Sequence, residues 1–129
     1  MVEIEKWKHF ELDFSTPIGN GDEIYQQIKD NIKNYNSTAG IYAIFDEEKC
    51  LYIGKGVRIW ERIKSHYKAA RGLDKAVRWA RFFKQYQKKL KVYWVEYRYL
   101  ENKLLDDKLR ELFEYILQVK YSPTFEQFK

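Results

Sequence analysis

Two tyrosines and two glycines stand in nearly mirrored order around a short acidic turn, in the segment GIYAIFDEEKCLYIGKG at residues 40–56. Both halves are β-rich, which predicts an antiparallel hairpin with its turn at 46–49. Tyr42 and Tyr52 then lie near the outer ends of the strands, where the two phenols can approach each other. A glycine after the second strand lets a ligand come close to the backbone. Either tripeptide alone is better explained as ordinary strand sequence.

Basic side chains follow on a predicted helix at 57–71. Arg58, Arg62 and His66 are spaced i, i+4, i+8, in a row beside the apolar stripe of that helix. A guanidinium suits bidentate contact with phosphate oxygens. The ordinary pKa of histidine lies near neutrality, so His66 could orient or deprotonate a water there. A histidine without a chemical role is an equal alternative when His66 is judged alone.

An acidic group comes from the predicted last helix, at 104–120. Its apolar residues recur at i, i+3, i+4 and i+7, which predicts one buried stripe: Leu105, Leu109, Leu112, Phe113, Ile116 and Leu117. Glu111 falls opposite that stripe, where we expect plain solvent-facing charge. Glu114 falls at its margin, where a carboxylate can line a cleft. One carboxylate beside phosphate-binding cations is a minimal Mg²⁺ site, although a carboxylate at a helix margin is more often structural.

Positive charge is concentrated in the middle of the chain. Residues 55–91 contain thirteen Lys and Arg and two acidic residues, an excess of +11 in a chain whose net charge is +5. Aromatic residues are interleaved with these cations, which favours a surface that faces a polyanion. We expect nucleic acid and no membrane. The backbone contacts would come from Arg58 and from a second predicted helix, at 74–89, that carries Lys75, Arg78, Arg81, Lys84 and Lys88.

The predicted elements needed to position these groups follow the order β-β-α-α-β-α, with a third strand at 92–100. This order predicts the α+β class, with a small three-stranded antiparallel sheet flanked by helices. A strand at 9–14 and an amphipathic helix at 22–35 precede it. We therefore divide the chain into an N-terminal extension, 1–39, and a main domain, 40–129. The extension either packs on the main domain or contacts a protein partner.

The overall composition limits the remaining classes. The chain has 129 residues, 45% of them hydrophobic and 18% aromatic, which predicts one folded domain. A single cysteine, Cys50, excludes an internal disulfide and a cysteine-based zinc cage. No apolar run approaches the ~20 residues that span a bilayer, and the segment MVEIEKWKHF lacks the pattern of a signal peptide. We therefore expect a cytoplasmic protein.

Taken together, these residues resemble the signature of the GIY-YIG nuclease family. The matching positions cover roughly residues 40–126. They are Gly40-Ile41-Tyr42, Tyr52-Ile53-Gly54, Lys55, the helix arginine Arg62, His66 four residues on, and Glu114 nine residues before Pro123. The resemblance says nothing about residues 1–39.

The resemblance implies a metal-dependent endonuclease that hydrolyses DNA phosphodiester bonds. Glu114 would hold one Mg²⁺ or Mn²⁺. Tyr42 would help to deprotonate the attacking water, which requires its pKa to fall well below about 10 under the influence of Lys55, Arg62 and the metal. His66 is the alternative base.

The other two site residues would act on the phosphate. Arg62 would neutralise the charge that grows on the pentacovalent phosphorus. Tyr52 would orient the water or the phosphate by hydrogen bonding.

One position departs from the family pattern. Many members have an asparagine three residues beyond the closing proline, and this chain has Glu126 there. An ionised carboxylate cannot donate a hydrogen bond, so Glu126 either adds a second acidic group near the metal or points away. The departure keeps open an alternative function, a catalytically impaired nucleic-acid-binding domain on the same scaffold.

Overall fold

The computed structural model describes residues 3–73, 77–98 and 101–127. Within them, four strands form one antiparallel sheet in the order β1-β4-β2-β3. The strands are β1 (Lys8–Asp13), β2 (Gly40–Asp46), β3 (Lys49–Gly56) and β4 (Lys89–Glu96). The described α-helices are α1 (Gly21–Asn31), α2 (Ile59–Ala70), α3 (Val77–Phe83) and α4 (Lys103–Tyr121). The predicted α+β class is confirmed.

The sheet has four strands instead of the three expected, because the N-terminal strand completes it. β1 pairs with β4 from Lys8 opposite Trp94 to Asp13 opposite Lys89. The alternation that marked this segment as a strand buries Phe10 and Leu12 on one face. Pairing with β1 also covers the edge of β4 that would otherwise be open. The boundary between residues 1–39 and 40–129 stays a prediction from the sequence.

Helices cover both faces of the sheet. One core contains the side chains of Tyr42, Ile44 and Tyr52, packed against α1, α2 and α3. The other contains Ile41 and Ile53, packed against α4. Successive residues of a strand point to opposite faces, so the hairpin supplies side chains to both cores at once.

The hairpin and the helix after it form close to the predicted positions. The β2–β3 turn lies at residues 47–48, where Glu47 has a φ of 54°. α2 runs from Ile59 to Ala70. Gly72 follows it with a φ of +80°, the left-handed conformation typical of a residue that ends a helix.

The next two elements differ from the expectation. α3 ends at Phe83, where we expected a helix to about residue 89, because the chain turns there: the Tyr86 amide donates to the Phe83 carbonyl. β4 begins at Lys89 instead of residue 92, since residues 89–91 already pair with β1. Residues 74–76, which include the expected helix cap Asp74, lie outside the described residues, as do 99 and 100 at the expected strand end.

α4 buries a different side from the predicted one. Asp106, Arg110 and Leu117 are buried, whereas most of the predicted apolar stripe faces solvent. Burial of the arginine is tolerated because it pairs with Asp106, and its Nε donates to the Tyr97 carbonyl at 2.9 Å. Phe113 packs on the ring of Tyr97. Throughout the described ranges, no helix combines the length and apolar character needed to cross a bilayer.

Candidate active site at the edge of the sheet

The two phenols lie together on one face of the hairpin. The rings of Tyr42 and Tyr52 are stacked, with centroids 5.9 Å apart. Gly54 is the cross-strand partner of Tyr42. A Cβ atom at Gly54 would lie 2.5 Å from Tyr42 Oη and 2.7 Å from a ring carbon of Tyr52. The glycine therefore leaves the space in which the phenols meet, which explains why this hairpin combines tyrosine with glycine.

His66 lies against both phenols. Its Nε2 and Tyr42 Oη share a hydrogen bond of 2.6 Å, and its ring is 4.4 Å from that of Tyr52. The rings of Trp79 and Phe83 enclose it, at 4.2 and 4.7 Å. His66 is fully buried, so the expected hydrated row of Arg58, Arg62 and His66 does not form. Its Nδ1 has no hydrogen-bond partner among the described residues.

Burial keeps these groups neutral. It raises the pKa of Tyr42 well above that of a free phenol, and the opposing effect of Arg62 is smaller. It also raises the pKa of Tyr52. Burial, assisted by the Arg62 cation, lowers the pKa of His66 well below its ordinary value. In the protein alone, desolvation of Tyr42 exceeds the attraction of Arg62, and the lowering of its pKa expected with a metal stays a prediction.

Arg62 is exposed and lies at the solvent-facing edge of this cluster. It lies near enough to both phenols to lower the pKa of each. Its guanidinium carbon is 4.9 Å from the centroid of the Trp79 ring, in cation–π range. A Cβ at Gly56 would lie 2.9 Å from Arg62 Cγ. Gly56 and Trp79 therefore both contact the side chain that carries the charge.

Glu114 reaches the cluster from the other face of the sheet. α4 packs beside β3, an edge strand, where the Gln118 amide donates to the Ile53 carbonyl at 3.3 Å. Burial raises the pKa of the Glu114 carboxyl, and Lys55 and Arg62 lower it. Glu114 in turn raises the pKa of Tyr52. The Glu114 carboxylate therefore lies within electrostatic range of the Tyr52 phenol and of the two cations Lys55 and Arg62.

The chain after α4 wraps around the same edge. Thr124 Oγ1 donates to the Cys50 carbonyl at 3.3 Å. Phe125 packs under Tyr52, with centroids 4.9 Å apart. This segment brings Glu126 near enough to raise the pKa of Glu114. Glu126 itself is exposed.

The donor set fits a hard divalent cation held mainly by non-protein ligands. Among the described residues, no three His, Cys, Asp or Glu side chains are grouped so that they could share one ion. Glu114 and Glu126 are two carboxylates within electrostatic range of each other. Mg²⁺ is commonly bound through one or two carboxylates, with water and substrate phosphate completing its octahedron.

The basic residues expected to contact DNA do not form one helix face. Arg78 and Arg81 lie on α3, but Lys84 and Lys88 follow its end. Arg78 also contacts Phe125, because its Nη2 donates to that carbonyl at 2.8 Å and its guanidinium lies over the ring. Arg81 and Lys84 are exposed.

Two of the other expected contacts are ion-paired. Lys88 pairs with Asp46 at 2.8 Å, beside the hairpin turn. Arg58 is exposed and lies 3.7 Å from Glu61. Lys75 lies outside the described residues.

Three residues that contribute to the site were not predicted from the sequence. Trp79 and Phe125 enclose the phenol–histidine cluster. Glu111 is exposed, as expected, yet it lines a groove of about 350 Å³ with Lys55 and raises the pKa of Glu114. The spacing of Trp79 and Phe83, i and i+4 on one helix, was the available signal for the aromatic wall.

No protein-family model matches the sequence, and no curated protein gives a significant match. Two solved structures are similar, both of the GIY-YIG N-terminal endonuclease domain of UvrC from Thermotoga maritima. They are two point mutants bound to the catalytic divalent cation. Their sequence identities are 16% and 17%, and each has a TM-score of 0.48 over 78% of this chain and 94% of its own. These structural neighbours are thus domains of the GIY-YIG family that the sequence itself resembles.

Proposed function

We propose that this chain is a metal-dependent endonuclease that hydrolyses DNA phosphodiester bonds at the edge of its sheet. One observation supports this most strongly: Glu114, from the face covered by α4, lies within electrostatic range of Arg62, Lys55 and Tyr52. A nucleic-acid-binding module has no need of a carboxylate beside cations that bind phosphate. A hydrolase needs both charges at one position.

Tyr42 and His66 act together on the attacking water. With the imidazole proton on Nδ1, His66 Nε2 accepts the hydrogen bond from the phenol. As Tyr42 takes a proton from the water, its own proton passes to Nε2, so an isolated buried phenolate never forms. The transfer avoids the buried phenolate that the raised pKa of Tyr42 disfavours, and it places a transient positive charge on His66, whose own pKa is lowered by burial.

Arg62 and Lys55 bind the phosphate and offset the negative charge that increases in the transition state. Arg62 is suited to this role because the Trp79 ring limits its motion while the guanidinium stays exposed. Tyr52, stacked on Tyr42, donates a hydrogen bond that orients the water or a phosphate oxygen.

Glu114, with the charge of Glu126 near it, would hold one Mg²⁺ or Mn²⁺. A cation held there would supply Lewis-acid stabilisation of negative charge on the phosphate and its leaving 3′ oxygen. The raised pKa of Glu114 supports this assignment, because a carboxylate whose ionisation is opposed by burial gains most from a cation.

Binding of the DNA backbone involves the basic residues expected from the sequence, without reading of sequence. These are Arg58, Lys75, Arg78, Arg81, Lys84 and Lys88. We assign smaller contributions to Arg58 and Lys88, since each has an acidic partner already. A protein partner for residues 1–39 remains part of the proposal.

Nicking of supercoiled plasmid, with Mg²⁺ and with EDTA, tests the function. We expect cleavage with Mg²⁺ only. Glu114→Ala should abolish it and leave DNA affinity within about twofold. Glu23→Ala, at an exposed acidic position on α1, is the control and should retain full activity. Arg62→Ala should reduce kcat about 10²–10³-fold and affinity much less.

Three results contradict the proposal. If the wild type binds DNA and never nicks it, the chain is the binding domain considered above. Cleavage by Glu114→Ala at the wild-type rate would make the metal assignment wrong. Equal losses of kcat and affinity in Arg62→Ala would mean that Arg62 is only a phosphate contact.

A further inference from the structure

The outward face of α4 carries an apolar row that nothing in the described structure covers. The row consists of Leu105, Leu109, Leu112, Ile116 and Val119, which are 55%, 38%, 55%, 39% and 65% exposed. These five residues follow one another at intervals of four, three, four and three. That alternation keeps them on a single line along the helix. We call this row the α4 seam.

The α4 seam is not the stripe by which the helix packs on its own domain. That inner side contains the Asp106–Arg110 pair and Leu117. An amphipathic surface helix ordinarily turns its apolar stripe toward the core. With the adjoining side chains of Leu104 and Tyr115, 68% and 57% exposed, the patch reaches on the order of 600 Å², the upper end for a monomer.

The spacing of the seam identifies what can cover it. Alternating steps of three and four are the a and d positions of a heptad, whose side chains insert between those of a second helix with the same spacing. A second copy of this chain provides such a helix automatically. A two-fold axis brings the same patch of both copies together, so the seam is its own complement.

We propose that the protein forms a homodimer through antiparallel packing of two α4 seams. The patch, with the polar residues around it, approaches the ~800 Å² per subunit typical of a specific interface. None of the five seam positions is charged. Antiparallel packing sets each helix N-terminus beside the partner's C-terminus, so the helix dipoles attract. When Leu109 packs against the partner's Leu112, the antiparallel arrangement also brings Lys108 of one copy close to the Tyr115 ring of the other.

The dimer leaves the Glu114 carboxylate outside the interface. Glu114 is two residues from Leu112 and two from Ile116. Its side chain therefore points about 200° around the helix axis from each of them. The seam and the carboxylate therefore lie on opposite sides of α4. This inference does not depend on nuclease activity, and its test uses mass alone.

Sedimentation equilibrium of the full chain between 1 and 200 µM tests the dimer. The monomer mass is 15.8 kDa, and we expect twice that mass at the upper concentrations. Leu112→Glu should return the protein to the monomer mass, because two carboxylates would face each other near the axis. Ile18 is an apolar residue on the other side of the fold, and it is 46% exposed. Ile18→Glu is therefore the matched control and should remain dimeric. Circular dichroism confirms that each variant is folded.

A mixing experiment distinguishes self-pairing from a general effect of the substitution. Leu112→Glu and Leu112→Lys should each be monomeric alone, and should form a mixed dimer when combined. A wild type that keeps the monomer mass at 200 µM overturns the proposal, as does a Leu112→Glu variant that is folded and still dimeric. Binding of a different protein to the seam of a monomeric wild type would also overturn it.

Discussion

Tyr42 Oη and His66 Nε2 lie 2.6 Å apart, and both side chains are completely buried. One residue comes from the central strand β2 and the other from α2, 24 positions later in the chain. Burial favours the neutral form of each group, so it raises the pKa of Tyr42 and lowers the pKa of His66. The pair is therefore uncharged at neutral pH and can pass a proton between its partners without solvent.

Removal of the Tyr42 hydroxyl should separate chemistry from stability. We expect Tyr42→Phe to lower kcat by about 10²–10⁴-fold, because the pair can no longer accept a proton from water. Tyr67→Phe is the control: Tyr67 is also buried, and its hydroxyl donates to the Thr16 carbonyl at 2.7 Å, away from the site. Both variants should lose about 1 kcal/mol of unfolding free energy. Nicking rates and urea unfolding measure the two effects. Equal nicking rates for the two variants would contradict the assignment of Tyr42.

Substitution of Gly54 tests the close packing of the phenols. In Gly54→Ala the new methyl group would lie 2.5 Å from Tyr42 Oη, so one ring must move. We expect a loss of about 1–3 kcal/mol in stability and at least a tenfold loss of nicking. In Gly19→Ala the methyl group meets nothing within 4 Å, and its effect on stability should stay within about 0.5 kcal/mol. A fully active Gly54→Ala would show that the two phenols need not be stacked.

The acid limb of the pH–rate profile should depend on Glu126. Only the ionised form of Glu114 can hold a cation, and burial raises the pKa of its carboxyl. As the pH is lowered, activity should therefore begin to decline at a higher pH than it would with an ordinary glutamate. Glu126 contributes to that rise through its own charge. We therefore expect Glu126→Gln to shift the limb to lower pH, measured as kcat/KM at Mg²⁺ concentrations well below saturation. An unshifted limb, or a shift to higher pH, would contradict the placement of Glu126 beside Glu114.

Glu114 should also reduce stability while it supports activity. Its pKa is raised in the folded protein, so the folded state binds the proton more strongly than the unfolded chain does. Stability then falls as pH rises through that range and remains lower at neutral pH. Glu114→Gln should raise the unfolding free energy at pH 7 by up to about 1 kcal/mol, or ~4 °C in Tm, and abolish nicking. The gain should shrink at pH 4, where scanning calorimetry without divalent cations provides the comparison.

The sequence by itself determined the local elements and the chemical types. The alternation of residues 9–14 identified β1, because successive side chains of a strand point to opposite faces. The two β-rich runs around 46–49 identified β2 and β3 by their composition, since both of their faces are buried. The spacing from Tyr52 to Arg62 and His66 placed both residues on one helix. Glu114 was assigned to the metal through the family resemblance, because a carboxylate at a helix margin is more often structural.

Only the tertiary structure decided which groups meet and in what state. β1 joins the sheet because β4 offers an open edge, which no local pattern encodes. The stripe on α4 faces solvent, since the Asp106–Arg110 pair satisfies its own charges on the inner side. Tyr42 and His66 have perturbed pKa values because burial depends on what Trp79, Phe83 and their neighbours cover. Desolvation is a property of the assembled fold, and it does not follow from the spacing of residues along the chain.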